Sequence, residues 1–539
     1  MTSLVKLRAG ACNNQLTHRG ERSPSLSVVG TGLTRRDTLK AAGGVAVLAA
    51  TPGWARKRGP HIAGRGEFPS GVIAGQPQRQ GARLWTQLGV DDAPGRLRLE
   101  IARDEDFRRI VHREIVRASR SPDRTAHARV QSKAMKPGEE YFYRFETRTT
   151  SSPSGRFVTL RPRDSAESIR VGFFSCQLYD AGYYTAHAGL ADEGCDMVVC
   201  LGDYIYETNG EGAVPDRADQ TSPAESGECE MLAEYRDKYR LYRSDPDLQS
   251  MHASAPFLTT WDDHEVEDNY AGTNGGKTAD QPPERRIPFE QRRRNGYRAF
   301  FEAMPMPPFP RSDRIYRRLR LGGLVDVFIL DERQYRSDQT CNDIPGIPCP
   351  DDGGPDHTLL GRPQMQWLKS RLSSSRATWK LLASSVEAMS WDSSPGVPLN
   401  RDGWDGYPRD REELGEHVVG EGIDGVSILT GDVHHFAAGT VTTTGRITGE
   451  PWATEFVGGS ITSPFLDGVF GEAARGGLAT NPHQVFQNFA RRGYGVLDAT
   501  PEQLRVRYRS PKTIEEPKSE IETLAAFTVE LGSHEVALG

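Results

Sequence analysis

Met197-Val198-Val199-Cys200-Leu201-Gly202-Asp203-Tyr204-Ile205-Tyr206-Glu207 (MVVCLGDYIYE) changes character at its middle. An unbroken apolar run gives way at once to a glycine and then to acids and tyrosines. A short run that is apolar at every position suits a strand covered on both faces, because a strand with one wet face alternates instead. In open α/β sheets, the polar groups that carry chemistry gather at the carboxyl ends of such strands. The same pattern recurs on either side. Ile169–Phe174 (IRVGFF) runs into Ser175-Cys176-Gln177. Phe257-Leu258-Thr259-Thr260 leads into Trp261-Asp262-Asp263-His264-Glu265-Val266-Glu267-Asp268-Asn269. Val426–Leu429 (VSIL) ends in Thr430-Gly431-Asp432-Val433-His434-His435. Leu324–Leu330 and Trp379–Ala383 are further apolar runs, with a helical stretch at Pro363–Ser373 between them. Residues 163–535 therefore read as an α/β layered domain, a β-sheet sandwich flanked by helices. Gln503–Arg509 and Ala526–Leu531 alternate as edge strands do, and 207–230 and 336–358 read as long loops over the active face.

The chain ahead of this domain differs. Arg83–Gln87, Leu97–Ala102 and Tyr141–Thr147 alternate apolar and polar residues between turn clusters at 122–124 and 136–139. Residues 67–162 thus form a small antiparallel sandwich of fibronectin or immunoglobulin type, with a scaffolding role. Residues 56–66 read as a basic, Gly-rich linker. Before it, Arg35-Arg36 precede the short apolar segment Ala41–Ala50, followed by Pro52 and Ala55. That segment is about half the length a membrane span needs. With Leu39 and Lys40 it fits a twin-arginine export signal over residues 1–55, which predicts the export machinery as a partner and a periplasmic or secreted destination. That route carries folded proteins, which suits an enzyme loaded with metal before export.

The 539 residues exceed what one ordinary core organises. Lys and Arg number 67 against 73 Asp and Glu, a net charge of −6 that excludes a broad basic nucleic-acid surface. Mean hydropathy is −0.58, and no later apolar run is long enough to span a bilayer. Of seven cysteines, Cys341 and Cys349 flank a short loop where a local disulfide suits an oxidising compartment; the remainder show no zinc-type CxxC spacing.

The four strand ends together offer a thiolate, carboxylates, a phenolate, a carboxamide and imidazoles. Thiolate and imidazole favour a softer transition metal, and carboxylate and carboxamide suit hard cations. A phenolate points to ferric iron. An aspartate can bridge two ions, one per oxygen. Taken singly, each piece has a structural reading: Cys176 as a small buried hydrophobe, and the 261–265 run as a helix start with Asp262 capping and Glu265 completing a box.

In order and in sum, these motifs resemble the alkaline phosphatase D (PhoD-like) family of the calcineurin-like metallophosphoesterases. Gly202-Asp203, Asp263-His264-Glu265 and Gly431-Asp432-Val433-His434 stand where that superfamily has its strand-end elements. Ser175-Cys176-Gln177, the run to Glu207, the run from Trp261, and Leu330-Asp331-Glu332-Arg333-Gln334-Tyr335 are similar to the family's hallmarks, and residues 68–75 with 84–86 resemble its N-terminal β domain. The resemblance implies a metallophosphoesterase fold, ferric iron, and one or two calcium ions. It implies Cys176, Asp203, Tyr206 and His434 on iron, with Asp203 bridging. It places Asp263, Asp432 and Asn269 on calcium and His264 as general acid or transition-state donor. The implied reaction is attack on a phosphate ester, small or polymeric, by a metal-bound hydroxide. Two competing readings remain: a phospholipase D-type phosphodiesterase, and a secreted binding protein with a structural metal. Oxygenase iron fits poorly, since it uses two His and one carboxylate.

Overall fold

The computed structural model describes residues 62–89, 95–210, 214–223, 227–276, 286–307, 313–350, 353–465 and 477–539. The twin-arginine stretch, Cys12 and the first part of the linker lie outside them.

The uninterrupted apolar runs become strands buried on both faces. A ten-stranded sheet holds Ile169–Phe174, Met197–Cys200 and Phe257–Thr259 side by side, and a seven-stranded sheet holds Val325–Ile329, Trp379–Ser384 and Val426–Thr430. Within each trio the pairing is parallel, with Phe173 opposite Val199, Cys200 opposite Thr259, and Ser384 opposite Thr430. The carboxyl ends therefore line up.

Successive side chains go to opposite layers. Phe173 and Val199 join Val327, Leu381, Leu429 and Phe456 in a core between the two sheets. Phe174 and Val198 face the other way, onto Tyr235, Tyr239, Tyr297 and Phe300 from the helices Leu232–Tyr242 and Phe289–Ala303. Across the molecule, Phe328, Leu382 and Ile428 pack on the helices Gly361–Ser373 and Pro408–Gly420. The order is helix, sheet, sheet, helix, as the sequence predicts. Tyr494–Ala499, Gln503–Pro511, Ile521–Glu530 and Ala537–Leu538 extend one side of the ten-stranded sheet.

The N-terminal strands do form a sandwich core, in which Val72, Ala74, Leu84 and Ala128 meet Leu97, Leu99, Ile101, Tyr143 and Phe145. Three of them are also members of the ten-stranded sheet: Val72–Gln78, Gly81–Gln87 and Thr125–Gln131. The join is a parallel pairing of Gly75 with Phe257. It is possible because these strands are apolar on both faces: Ile73 and Trp85 point into the helical layer of the larger domain. Nor do residues 62–66 hang free as the tail of a linker. Ala63 is buried, donates to the Arg96 carbonyl at 2.8 Å and accepts from Arg148 N–H at 2.9 Å. Among the described residues, no helix is long and apolar enough to cross a membrane.

Both long loops are tied down where they are described. Lys238, fully buried, donates to Thr208 O, Asn209 Oδ1 and Asp219 Oδ2 at 2.7–2.9 Å. Cys341 and Cys349 are disulfide-bonded.

Candidate metal centre

The aligned strand ends of both sheets meet at one place. Cys176 N–H donates to Gly202 O at 3.3 Å and Gln177 N–H to Asp203 O at 3.2 Å, stitching two neighbouring ends together. The glycines of the two Gly-Asp pairs allow the close approach. A Cβ on Gly202 would lie 2.4 Å from Asp262 Cβ, and one on Gly431 would lie 2.8 Å from Ser175 Cβ. No residue larger than glycine fits either position without parting the loops.

Backbone strain concentrates here. Cys176, Asp203, Asn269, Asp432 and His434 all have φ between +52° and +66°. Non-glycine residues rarely adopt that region, at a cost of about 1–3 kcal/mol each, and such outliers cluster at functional sites. The turns aim side chains inward that an ordinary strand exit would send elsewhere.

Three groups of ligand atoms result, each mutually within 4.8 Å: Cys176, Asp203 and His434; Asp203, Asp263 and His264; and Asp262, Asp263 and Asp432. Asp203 and Asp263 are shared between groups. Tyr206 closes the first, its hydroxyl 3.1 Å from both Asp203 Oδ2 and His434 Nε2 and accepting from Ser463 Oγ at 2.7 Å. His434 Nδ1 faces the Pro464 carbonyl at 2.7 Å, which can only accept, so Nδ1 carries the proton. Burial pulls the ring down to about 3, so neutral Nε2 presents a lone pair to Asp203 and Tyr206.

Of the eight residues named from the sequence, Asn269 lies against Asp263, at the edge of the third group. Its amide Nδ2 donates to Asp343 Oδ2 at 3.0 Å and its N–H to Asp263 Oδ2 at 2.6 Å. It therefore orients Asp263, and Asp262 fills the third group beside it. Residues 261–265 form tight turns and no helix follows them. Glu265 does accept from Asp262 N–H at 2.8 Å, the back-bond of the expected capping box, and its second bond, from Tyr204 N–H at 2.8 Å, latches the two loops together.

Four further groups, Glu207, Arg333, Arg336 and Asn400, surround these residues, and the sequence shows the partner of none. Glu207 is fully buried and accepts from His264 Nδ1 at 2.7 Å and Asp268 N–H at 2.8 Å. It lay within a quoted motif, but nothing local names its partner. Burial alone would lower the His264 pKa; Glu207, then Asp263 and Asp203, override this and raise it well above its ordinary value. The His264 ring lies tilted against Tyr206, centroids 4.1 Å apart. Arg333 donates from Nε to Asp262 at 2.6 Å, pairs with Asp402 at 2.5 Å, and lies 3.6 Å from Asp263 and 3.8 Å from Asp432. Arg336 also holds Asp402, at 2.6 Å. Asn400 donates to Asp432 Oδ2 at 3.2 Å.

The charges do not balance. Asp203, Asp262, Asp263, Asp402 and Asp432 share this space with the guanidiniums of Arg333 and Arg336, while His264 is matched by Glu207. Two carboxylates at this spacing repel by about 3–4 kcal/mol at an effective dielectric constant of about 20. Burial first, with neighbouring carboxylates, drives Asp203 and Asp432 well above the carboxylate range, against the opposing charges of His264 at Asp203 and Arg333 at Asp432. Asp203 Oδ1 and Asp262 Oδ2 are buried with no hydrogen-bond partner among the described residues. Orphaned oxygens, excess acid, and a thiol–phenol–imidazole set beside an all-carboxylate set fit bound metal cations.

The PhoD-like phosphatase family matches residues 171–508, and its N-terminal domain matches residues 53–161. Alkaline phosphatase D of Bacillus subtilis (strain 168) is 35% identical over 483 residues, covering 85% of this chain and 80% of that protein. A solved structure of PhoD superposes with a TM-score of 0.78 at 33% identity, over 89% of this chain and 92% of that one. Purple acid phosphatase PPD1 from yellow lupin (Lupinus luteus) seeds shares the fold, with a TM-score of 0.50 at 13% identity over 85% of this chain and 74% of its own. Carrying both domains over nearly its whole described length, the chain belongs to the PhoD-like phosphatase family.

Proposed function

We propose that the protein is a metal-dependent phosphoric ester hydrolase whose centre pairs ferric iron with one or two calcium ions. The observation that carries this reading is the chain of three ligand groups, each with two buried members and one half-buried, joined by Asp203 and Asp263. Cys176, Asp203, Tyr206 and His434 would hold iron. Asp263 and Asp432, with Asp262, would hold calcium, and Asn269 would stand at its edge. When bound, the ions supply Lewis acidity, which makes water acidic near neutral pH and neutralises charge on a phosphoryl group.

The chain's own residues do the rest. Glu207 fixes His264 Nδ1–H, so Nε2 is the nitrogen left to hand a proton to the leaving oxygen. The His264 side chain is 17% exposed while Asp203, Asp262 and Asp263 are buried, which supports approach of the ester from the His264 side. Arg333, anchored by Asp262 and Asp402, keeps the calcium-side carboxylates from spreading. His264→Gln should cut kcat for alkyl phosphates by roughly 10²–10³-fold, and less for nitrophenyl esters, whose leaving group needs little protonation. Metal content should be unchanged. Equal, undiminished rates on both esters would remove His264 from this role, and hydrolysis insensitive to chelation would remove the metals from the mechanism.

Both phosphomonoesters and diesters, including those of phospholipase D type, are admissible substrates, and initial rates on one of each separate them. We also propose that residues 67–162 act as a scaffold domain for the catalytic residues 163–535, and that the protein is exported by the twin-arginine route to the periplasm or beyond. The Arg35-Arg36 pattern and the Cys341–Cys349 disulfide, which suits an oxidising compartment, support export.

A further inference from the structure

The residue that follows the shared ligand Asp203 is gripped at both of its ends. Tyr204 is fully buried. Its N–H donates to Glu265 Oε1 at 2.8 Å, and its carbonyl accepts from Gln177 Nε2 at 2.8 Å. Its hydroxyl accepts from Arg243 Nε at 3.0 Å and faces His252 Nε2 at 2.8 Å. The backbone of Asp203 itself is tied by longer bonds, its N–H to Glu265 Oε2 at 3.3 Å and its carbonyl to Gln177 N–H at 3.2 Å. Asp203 also has a φ of +54°, and a strained residue of this kind keeps its conformation only where its surroundings over-determine it. Tyr204 supplies that constraint, because the two residues share one rigid peptide plane.

The grip on the hydroxyl leads out of the catalytic domain. Arg243 ends the helix Leu232–Tyr242 and is 2% exposed. Among the described residues no carboxylate lies within ion-pair distance of it, and its other side-chain hydrogen bond is a soft one, from Nη2 to Met304 Sδ at 3.4 Å. A buried guanidinium without a counter-charge is costly unless something else takes up the charge. Aromatic faces do so here. The guanidinium lies 4.3 Å from the centre of the Trp85 ring and 5.7 Å from that of Tyr239. Trp85 belongs to the N-terminal strand Gly81–Gln87, and its Nε1 donates to Glu302 O at 2.9 Å. His127 Nε2, from the neighbouring N-terminal strand, faces the same carbonyl at 3.1 Å. A flat ring pinned by its edge fixes where Arg243 lies, and from there Nε is aimed at Tyr204.

We propose that Trp85 of the N-terminal domain is a positioning residue for the metal centre, acting through Arg243 and the Tyr204 hydroxyl on the turn that carries Asp203. For its effect on rate the inference rests on the hydrolase reading above. It goes beyond a scaffold role, because the N-terminal domain then completes the support of a metal ligand.

The test compares the metal-replete full chain with Trp85→Leu, Trp85→Phe, Tyr204→Phe and the double variant Trp85→Leu/Tyr204→Phe. Each is read by kcat and KM for a chromogenic phosphodiester and by the chelator concentration that removes half of the bound metal. Leucine and phenylalanine both lose the indole N–H, and phenylalanine alone keeps a ring face under the guanidinium. Tyr204→Phe should lower kcat roughly tenfold and Trp85→Leu roughly fivefold, each with KM within about twofold, because a displaced ligand affects the chemical step more than ester binding. Trp85→Phe should recover most of the loss. The double variant should be no worse than Tyr204→Phe, since the hydroxyl through which Trp85 acts is then gone. The chelator concentrations should fall in the same order. Losses that multiply in the double variant overturn the proposal, as does a Trp85→Leu protein with wild-type kcat and metal retention. A wild-type chain that holds metal yet hydrolyses no ester overturns the hydrolase reading, and the chelator series then decides the role of Trp85 by itself.

Discussion

The two halves of the metal centre are assembled on opposite principles. On one side, Cys176, Tyr206 and His434 are groups that can be neutral; Tyr206 bonds both His434 and Asp203, Cys176 Sγ lies against Ser175 Oγ and the Asp432 carbonyl, and Ser463 and Pro464 fix the orientations. On the other, Asp262, Asp263 and Asp432 are acids that repel one another whenever they are charged, and Arg333 is threaded among them. The first half is shaped before any metal arrives, and the second is held together by a guanidinium. The lesson concerns selectivity: a preformed thiol–phenol–imidazole set favours a transition metal by ligand type, while a carboxylate set favours a hard cation by charge.

Asp203 links the first half to Asp263 of the second through the group it shares with His264, so its loss tests the division hardest. Asp203→Asn should lower kcat by on the order of 10³-fold or more, about 4 kcal/mol of transition-state stabilisation, and reduce the content of both metals. A variant that loses one metal and keeps the other would show that the halves are independent. Tyr206→Phe sharpens the contrast from one side. It should abolish any tyrosinate-to-metal absorption and lower activity by roughly 10–100-fold while leaving calcium untouched. Colour that survives in Tyr206→Phe would move the phenolate out of the first half.

Why the halves were unequally legible follows from the same contrast. The soft half sits directly after apolar strands, where Ser-Cys-Gln, Gly-Asp and Gly-Asp-Val-His break the run abruptly. The hard half depends on partners from elsewhere. Asp402 and Asn400 follow no apolar run, and Arg333, though it stands in the run Leu330–Tyr335, shows no partner there. Choosing between the adjacent Asp262 and Asp263 needs the turn geometry, which uses both. The layer order was readable from continuous apolar runs, but the join of the N-terminal strands to the main sheet was not, because it rests on the pairing of Gly75 with Phe257 alone.

A smaller effect separates carboxylates that await a metal from one that is already satisfied. Asp405 is buried, and although burial alone would raise its pKa, Arg411, Arg446 and Ser390 hold it below the usual carboxylate range. With its folded pKa depressed, it contributes stability above the unfolded value of about 3.9 and loses it as pH falls further. Asp405→Asn should therefore lower the Tm at pH 7, by the equivalent of about 3 kcal/mol for a broken buried pair, and flatten the acid limb of the Tm–pH curve below about pH 4. An unchanged acid limb would mean that other carboxylates carry it.

The central claim is tested most directly by elemental analysis of the mature protein, purified without chelator, with a visible spectrum taken on the same sample. The account predicts about one iron per chain, calcium alongside it, and a broad tyrosinate-to-iron band. Zinc or manganese in a colourless, fully active enzyme would contradict the assignment of Cys176 and Tyr206 to iron.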